Sequence, residues 1–192
     1  MIDSLLSTYW PVIIWFLLYL VDVVATKRTF EVYDKFLINY EVYENGIEMN
    51  PNVSQENARS GKLPIFLLIV FVLSVSLFGY VATKVLIFKY IYEFITGAII
   101  LLWLYIDMEH LYTLGRVYFL KERPESLSGK VSRSYWYTQR LNFLKAGSFG
   151  LLYMIIAILT WRLFFFAGAF ACFVCAMKFY EFADKFEENL DV

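Results

Sequence analysis

The sequence predicts an all-α integral membrane protein whose five transmembrane helices cross the cell membrane. Of its 192 residues, 60% are hydrophobic and 20% are aromatic, which exceeds the roughly half-apolar composition of soluble domains. Residues 64–83 form a run of 20 without a charged side chain, and about 20 helical residues cover the hydrocarbon core of a bilayer. A soluble domain of this length has too little interior to bury so much apolar surface, so lipid is the expected solvent.

Four further segments are apolar enough to join this span in a polytopic bundle. The five spans are predicted at about residues 9–25, 64–83, 90–110, 146–161 and 163–177. The first lacks the basic flank and the cleavage site of a secretory signal, so it is predicted to be retained. The last two are separated by little more than Arg162 and are slightly short for a straight crossing.

The polar segments between the spans complete a single transmembrane domain, residues 1–192. Residues 27–63 and 116–145 are predicted to be cytoplasmic loops, and residues 178–192 a short acidic tail on the same side. In the first loop, apolar residues from Phe30 onward recur at helical spacing. This pattern predicts an amphipathic helix that continues the first span or lies on the membrane surface.

The distribution of basic residues predicts the orientation of the spans. Fourteen of the 17 lysines and arginines fall in the two loops and the tail, whereas Lys84, Lys89 and Arg162 fall on the opposite side. Because cytoplasmic loops carry an excess of Lys and Arg, the N-terminus is predicted outside and the C-terminus in the cytoplasm. The net charge of −1 does not favour nucleic acid. The expected partners are the lipid bilayer and either further copies of this chain or a larger membrane complex.

This threading gathers polar side chains at the cytoplasmic ends of the spans. Ionisable groups in a transmembrane helix are costly and are therefore functional candidates. Asp107 and His110 are three residues apart and share a helix face, whereas Glu109 points away. The candidate cluster comprises Asp22, Glu48, Asn50, Asp107, Glu109 and His110, the single histidine of the chain.

The chemistry of this cluster stays open at the level of sequence. A carboxylate beside an imidazole can relay protons, act as a base with its orienting group, or form half of a metal site. The structural alternative is that Asp107 fixes the ring and that both groups pair with Arg116 or Lys27 at the lipid boundary. One histidine does not make a zinc or di-iron centre, and a hard-cation site would draw on the four acidic members. The metal is therefore unknown, and no cofactor is implied.

Two further groups of charged residues are candidates for binding. Lys89 and Glu93, four residues apart at the outer mouth, are predicted to form an ion pair that acts as a clamp or in a selectivity filter. Between residues 130 and 145, basic and aromatic side chains alternate, which is typical of a segment attracted to anionic lipid headgroups. The residues predicted to contact headgroups are Arg133, Trp136, Arg140 and Lys145.

Cys172 and Cys175 have the spacing of a redox dithiol inside an apolar segment rich in Gly and Ala. A thiol is active in such chemistry only when it is exposed and its pKa is lowered. Helix packing is therefore the favoured interpretation, and a quinone-coupled thiol oxidase is the alternative. The sequence contains no phosphate-binding loop, no Gly-x-Ser-x-Gly and no dinucleotide glycine pattern, so it carries no signature of an enzyme.

Residues 48–51 read Glu-Met-Asn-Pro after a first span that ends near an aspartate, and a His-Leu pair at 110–111 ends the third span. In this respect the chain resembles uncharacterised small polytopic prokaryotic membrane proteins with a Glu-x-Asn-Pro loop after the first span. The resemblance covers most of the chain by layout and a handful of residues by identity. It implies no particular activity and draws attention to Glu48, Asn50 and His110.

Three functions are compatible with the predicted architecture. The favoured hypothesis is a small oligomeric channel or transporter-like protein with the carboxylate–histidine cluster at its cytoplasmic mouth, because ionisable groups occupy both ends of the third span. The second is an accessory or scaffold subunit of a membrane complex. The third is a membrane-embedded enzyme acting on lipid or quinone through His110 or the two cysteines, against which the lack of a catalytic motif argues.

Overall fold

Four long helices dominate the part of the chain that the computed structural model describes, which is residues 2–37, 41–43, 72–73, 80–81, 86–123 and 131–188. The helices are α1 (Ile2–Val32), α2 (Leu86–Glu122), α3 (Tyr135–Thr160) and α4 (Leu163–Glu188). A π-helical turn (Tyr33–Leu37) follows α1, and two three-residue strands, β1 (Glu41–Tyr43) and β2 (Val131–Arg133), lie in the connections.

Each of the four helices is long and apolar enough to cross a membrane. Large apolar side chains are exposed on all of them, among them Leu17, Ile91, Leu159 and Phe170. Such surfaces are unfavourable in water and suit hydrocarbon, as expected of a multi-pass membrane protein.

Four of the five predicted spans coincide with these helices, and residues 64–83 are the exception. That segment lies outside the described residues, apart from the helical residues 72–73 and 80–81. The fifth span and the sides on which the two termini lie therefore stay predictions.

The helices extend well beyond the apolar runs that predicted them. α3 and α4 have 26 residues each, which corresponds to about 39 Å at 1.5 Å per residue, so the prediction that they are short for a crossing is wrong. Much of the predicted loop 116–145 is also helical, because α2 continues to Glu122 and α3 begins at Tyr135. The polar residues that extend the helices, such as Lys, Arg, Gln and Glu, are themselves good helix formers.

The connection after α1 is tied to the connection before α3 by a short strand pair. β1 and β2 pair in parallel, with Glu41 opposite Val131 and Tyr43 opposite Arg133. Parallel strands require a long crossover, and here the crossover contains α2. The predicted helical continuation of the first span is confirmed as far as the π-helical turn ending at Leu37.

The protein divides into two compact units, and the division falls within the helices. The first, here called the apolar unit, comprises Met1–Leu20, Leu63–Tyr105 and Ala146–Val174. The second, here called the polar unit, comprises Val21–Lys62, Ile106–Lys145 and Cys175–Val192.

Aromatic rings fill much of the interior of the apolar unit. Trp15 stacks on Tyr19 with ring centroids 5.5 Å apart, and Trp103 meets both rings edge-on at 6.0 and 5.8 Å. Tyr105 packs against Phe149 of α3 at 5.2 Å. Offset and edge-to-face pairs of this kind add to the stabilisation that burial alone provides.

Two glycines allow α2 and α4 to approach closely in the same unit. A Cβ atom on Gly97 would lie 2.7 Å from the Cα of Phe164, and one on Gly168 would lie 2.6 Å from the Cβ of Leu101. Both distances are too short for any residue larger than glycine. Cys172, four residues after Gly168 in α4, is buried as well, in line with close packing of small residues in this helix.

A two-residue turn, Trp161 and Arg162, joins α3 to α4. Trp161 has a φ of 52°, the left-handed conformation that usually ends a helix with glycine. Its N–H still donates to the carbonyl oxygen of Ala157 at 2.7 Å, and its side chain is exposed. An aromatic and a basic residue at a turn between two spans suit the interface between lipid and water.

The polar unit has a different interior. Val32, Tyr33 and Val117 form a buried apolar cluster in this unit, and Leu120 packs against them. Five polar side chains of the unit are also buried: Thr29, Asp107, Thr138, Gln139 and Asn142. This unit contains the described members of the predicted cluster.

Candidate functional site

The site lies in the polar unit, where side chains of α1 and α2 meet. α1 presents Asp22 and Thr26, which are four residues apart, and α2 presents Asp107 and His110, which are three residues apart. Each pair therefore shares one face of its helix. All four positions lie within helical segments that are long and apolar enough to cross a membrane. The polar side chains therefore belong to otherwise apolar helices.

The imidazole of His110 contacts two oxygen atoms of α1 through the same nitrogen. Nδ1 lies 2.5 Å from Oδ1 of Asp22 and 3.0 Å from Oγ1 of Thr26. The contact with Asp22 is attractive only when a proton lies on Nδ1 or on the carboxyl group. The hydroxyl of Thr26 can accept a hydrogen bond from a protonated Nδ1 or donate one to an unprotonated Nδ1. The geometry therefore accommodates both protonation states of this nitrogen.

Asp107 is the least satisfied group of the site. It is only 2% exposed, and among the described residues neither of its carboxylate oxygens has a hydrogen-bond partner. Burial of an ionised carboxylate without donors is strongly unfavourable. A proton on Asp107, or a positive charge close to it, would remove this cost.

Glu109, a further predicted member, takes part in a separate interaction. Its carboxylate forms an ion pair with the ammonium of Lys145 on α3, and that ammonium lies 5.5 Å from the centre of the Tyr112 ring. That Glu109 points away from Asp107 and His110 stays a prediction. The contact of Lys145 with lipid headgroups stays a prediction, although part of its charge is neutralised within the protein.

Arg140 lies in a second polar contact between α3 and α4. Its Nη2 is 2.6 Å from Oδ1 of Asp184, and its guanidinium lies 4.2 Å from the centre of the Tyr180 ring and 5.6 Å from that of Trp136. An arginine held by a carboxylate and two rings is well fixed. The predicted headgroup contacts of Arg133, Trp136 and Arg140 are not tested by these interactions.

The remaining predicted residues do not join the site in the described part of the chain. Glu48 and Asn50 lie outside the described residues. The ion pairs among described residues do not include one between Lys89 and Glu93. No group of three or more His, Cys, Asp or Glu side chains that could hold a metal ion occurs within the described ranges. The three described carboxylates of the predicted hard-cation site therefore do not assemble into one.

Sequence reasoning missed three residues of this region, Thr26, Gln139 and Asn142. The signal for Thr26 is its spacing, since it lies one helical turn after Asp22 and on the same face. Gln139 and Asn142 are three residues apart in a segment that was interpreted only through its basic and aromatic residues. Their shared helix face, which is buried, is the pattern that identifies them.

Comparison with known proteins does not indicate a family for this chain. No family model, no curated protein and no solved structure matches the chain. The resemblance to small prokaryotic membrane proteins with a Glu-x-Asn-Pro loop therefore stays a prediction. What the protein does must be inferred from the site.

Proposed function

We propose that this protein carries protons across the membrane as a small channel or transporter, and that Asp22, Asp107 and His110 bind the proton in transit. The observation that supports this most strongly is the state of Asp107. A carboxylate that is almost fully buried, with no hydrogen-bond donor among the described residues, reduces stability. Residues of this kind in a membrane helix mark ion pathways and proton relays.

A proton suits the site better than a metal ion does. Bound metal ions need several ligands in a defined geometry, and the described residues do not provide three such ligands in one group. A proton needs one oxygen or nitrogen atom at a time. The imidazole beside a carboxylate supplies a second group that can take the proton when Asp107 releases it.

Exchange of the proton between Asp107 and His110 keeps the total charge of the site constant. When Asp107 gives up its proton, the imidazole of His110, which shares its helix face, can accept it. The proton on Nδ1 is then held by Asp22 and Thr26, which lie within 3.0 Å of that atom. Loss of the ring proton returns Asp107 to the state in which it binds one. During the exchange, the negative charge on Asp107 is balanced by the positive charge on His110. After the ring proton has left, Asp107 stays ionised until it binds the next proton.

Proton flux into proteoliposomes tests the proposal. The purified protein is reconstituted around a pH-sensitive dye, and a potassium gradient with valinomycin supplies the driving potential. We expect flux above that of protein-free vesicles, and we expect Asp107→Asn to lower it at least about tenfold because the amide cannot release a proton. Asn has nearly the shape of Asp, so the fold is preserved.

The matched control is Glu31→Gln on α1. Glu31 is an exposed carboxylate that pairs with Arg28 at 2.8 Å, so its neutralisation should leave the flux unchanged. Flux equal to that of empty vesicles for the unaltered protein would overturn the proposal. Flux that survives both Asp107→Asn and His110→Ala would overturn the assignment of the site. Co-purification of another membrane protein together with absent flux would favour the accessory-subunit hypothesis instead.

A further inference from the structure

Gln139 is the second strongly unsatisfied side chain of the polar unit. It is completely buried, and neither Nε2 nor Oε1 has a hydrogen-bond partner in the part of the chain that the structure describes. A buried amide without partners costs about 1–3 kcal/mol. Thr138, its neighbour in sequence, is also buried, but its hydroxyl donates a hydrogen bond to the carbonyl oxygen of Ser134 at 2.9 Å. Buried polar groups usually have such a partner.

The position of Gln139 along α3 relates it to the carboxylate–histidine site. Lys145 of α3 is paired with Glu109, the residue that precedes His110 on α2. Gln139 lies six residues before Lys145, or about 9 Å along the helix axis. Asn142, buried on the same face as Gln139, lies half-way. The two amides thus lie within about two helical turns of the level of His110.

We propose that Gln139 binds water, and that this water extends the proton site along α3 past Asn142. Its role in proton movement rests on the proposed function, whereas the binding of water does not. A carboxamide offers both a donor and an acceptor, which matches water and gives no preference for an anion or a metal ion. Buried waters are ordinary parts of proteins, and they typically form about three hydrogen bonds to polar groups that otherwise lack them.

Water also fits the proton chemistry better than a direct chain of side chains. An amide does not release protons near neutral pH, so Gln139 and Asn142 cannot themselves be relay groups. They can orient water molecules, which accept a proton on one side and donate another on the opposite side. Gln139 is therefore a positioning residue, and the water that it holds is the group that would exchange protons with the site.

Nuclear magnetic resonance of the unaltered protein in detergent micelles tests the binding of water directly. The sequence contains two glutamines, Gln55 and Gln139, so selective labelling of glutamine side-chain amides with ¹⁵N gives two pairs of signals. Gln139→Leu assigns them. We expect the amide protons of Gln139 to show magnetisation transfer from water. Protected amide protons with contacts only to protein protons would overturn the proposal.

The link to proton movement is tested separately in the vesicle assay. Gln139→Leu should lower proton flux at least about tenfold because it removes both hydrogen-bonding atoms from a hydrated position. Thr138→Val is the matched control, since it removes a buried hydroxyl that is already satisfied within α3, and it should leave the flux unchanged. Unchanged flux in Gln139→Leu would overturn the link. Absent flux in the unaltered protein would instead count against the proposed function and leave the magnetic resonance result unaffected.

Discussion

Two buried hydroxyls of the apolar unit and two buried side chains of the polar unit differ in their hydrogen bonding. In the apolar unit, the hydroxyl of Tyr153 donates to the carbonyl oxygen of Leu101 at 3.2 Å, and that of Thr96 donates to the carbonyl oxygen of Tyr92 at 2.7 Å. In the polar unit, the side chains of Asp107 and Gln139 are buried without hydrogen bonds to the described residues.

This difference separates buried polar side chains that contribute to stability from those that reduce it. A buried polar group that has a partner contributes modestly to folding, whereas one without a partner costs free energy. The apolar unit combines satisfied hydroxyls, edge-to-face rings and close helix contacts at glycine. In the polar unit, Asp107 on α2 and Gln139 on α3 have no hydrogen bonds to the described residues. Unsatisfied groups of this kind are expected where function, rather than stability, selects the residue.

The largest effect is expected where packing in the apolar unit is tightest. Gly97→Leu places a side chain against the backbone of Phe164, whose Cα would lie 2.7 Å from the new Cβ. The backbone cannot turn away as a side chain can, so α2 and α4 must separate. We expect a loss of at least about 3 kcal/mol in the free energy of unfolding, seen as a lower melting temperature in detergent.

Gly147→Ala is the control for this substitution, because a Cβ on Gly147 meets no atom within 4 Å. It lies inside α3 in the same unit, and alanine should raise stability by about 0.5–1 kcal/mol through its better helix propensity. If Gly97→Leu melted at the temperature of the unaltered protein, the close contact between α2 and α4 would be wrong.

The helices and the buried polar side chains of the two units could be predicted only in part from the sequence. Charge-free runs of apolar residues located four helices that the structure contains, because hydrocarbon length is a property of the chain alone. The three-residue spacing of Asp107 and His110 predicted their shared helix face, because this too depends on the local sequence alone. The pairing of Asp22 with His110 instead depends on how α1 and α2 pack against each other. Whether Asp107 and Gln139 have partners likewise depends on neighbours that no local pattern specifies.

A smaller effect is expected from the ion pair of the polar unit. Glu109→Lys places a second ammonium beside Lys145, and because both positions are about three-quarters buried, water screens the repulsion only in part. We expect a loss of about 2 kcal/mol, most of which should return when Lys145→Glu is added to restore an ion pair with reversed sense. The two single variants and the double variant, compared by thermal unfolding, give the coupling free energy. Additive losses would show that the two side chains do not interact.

The smallest effects should differ in sign between the units. Tyr153→Phe removes a satisfied hydroxyl and should lower the free energy of unfolding by about 1 kcal/mol, whereas Asp107→Val removes an unsatisfied carboxyl group and should raise it by about 1 kcal/mol. Both variants are compared with the unaltered protein in one detergent by thermal unfolding. Destabilisation by both substitutions would mean that Asp107 is satisfied after all, and the proposed proton site would lose its main support. Stabilisation by Asp107→Val together with loss of proton flux would show that stability is given up at this position for transport.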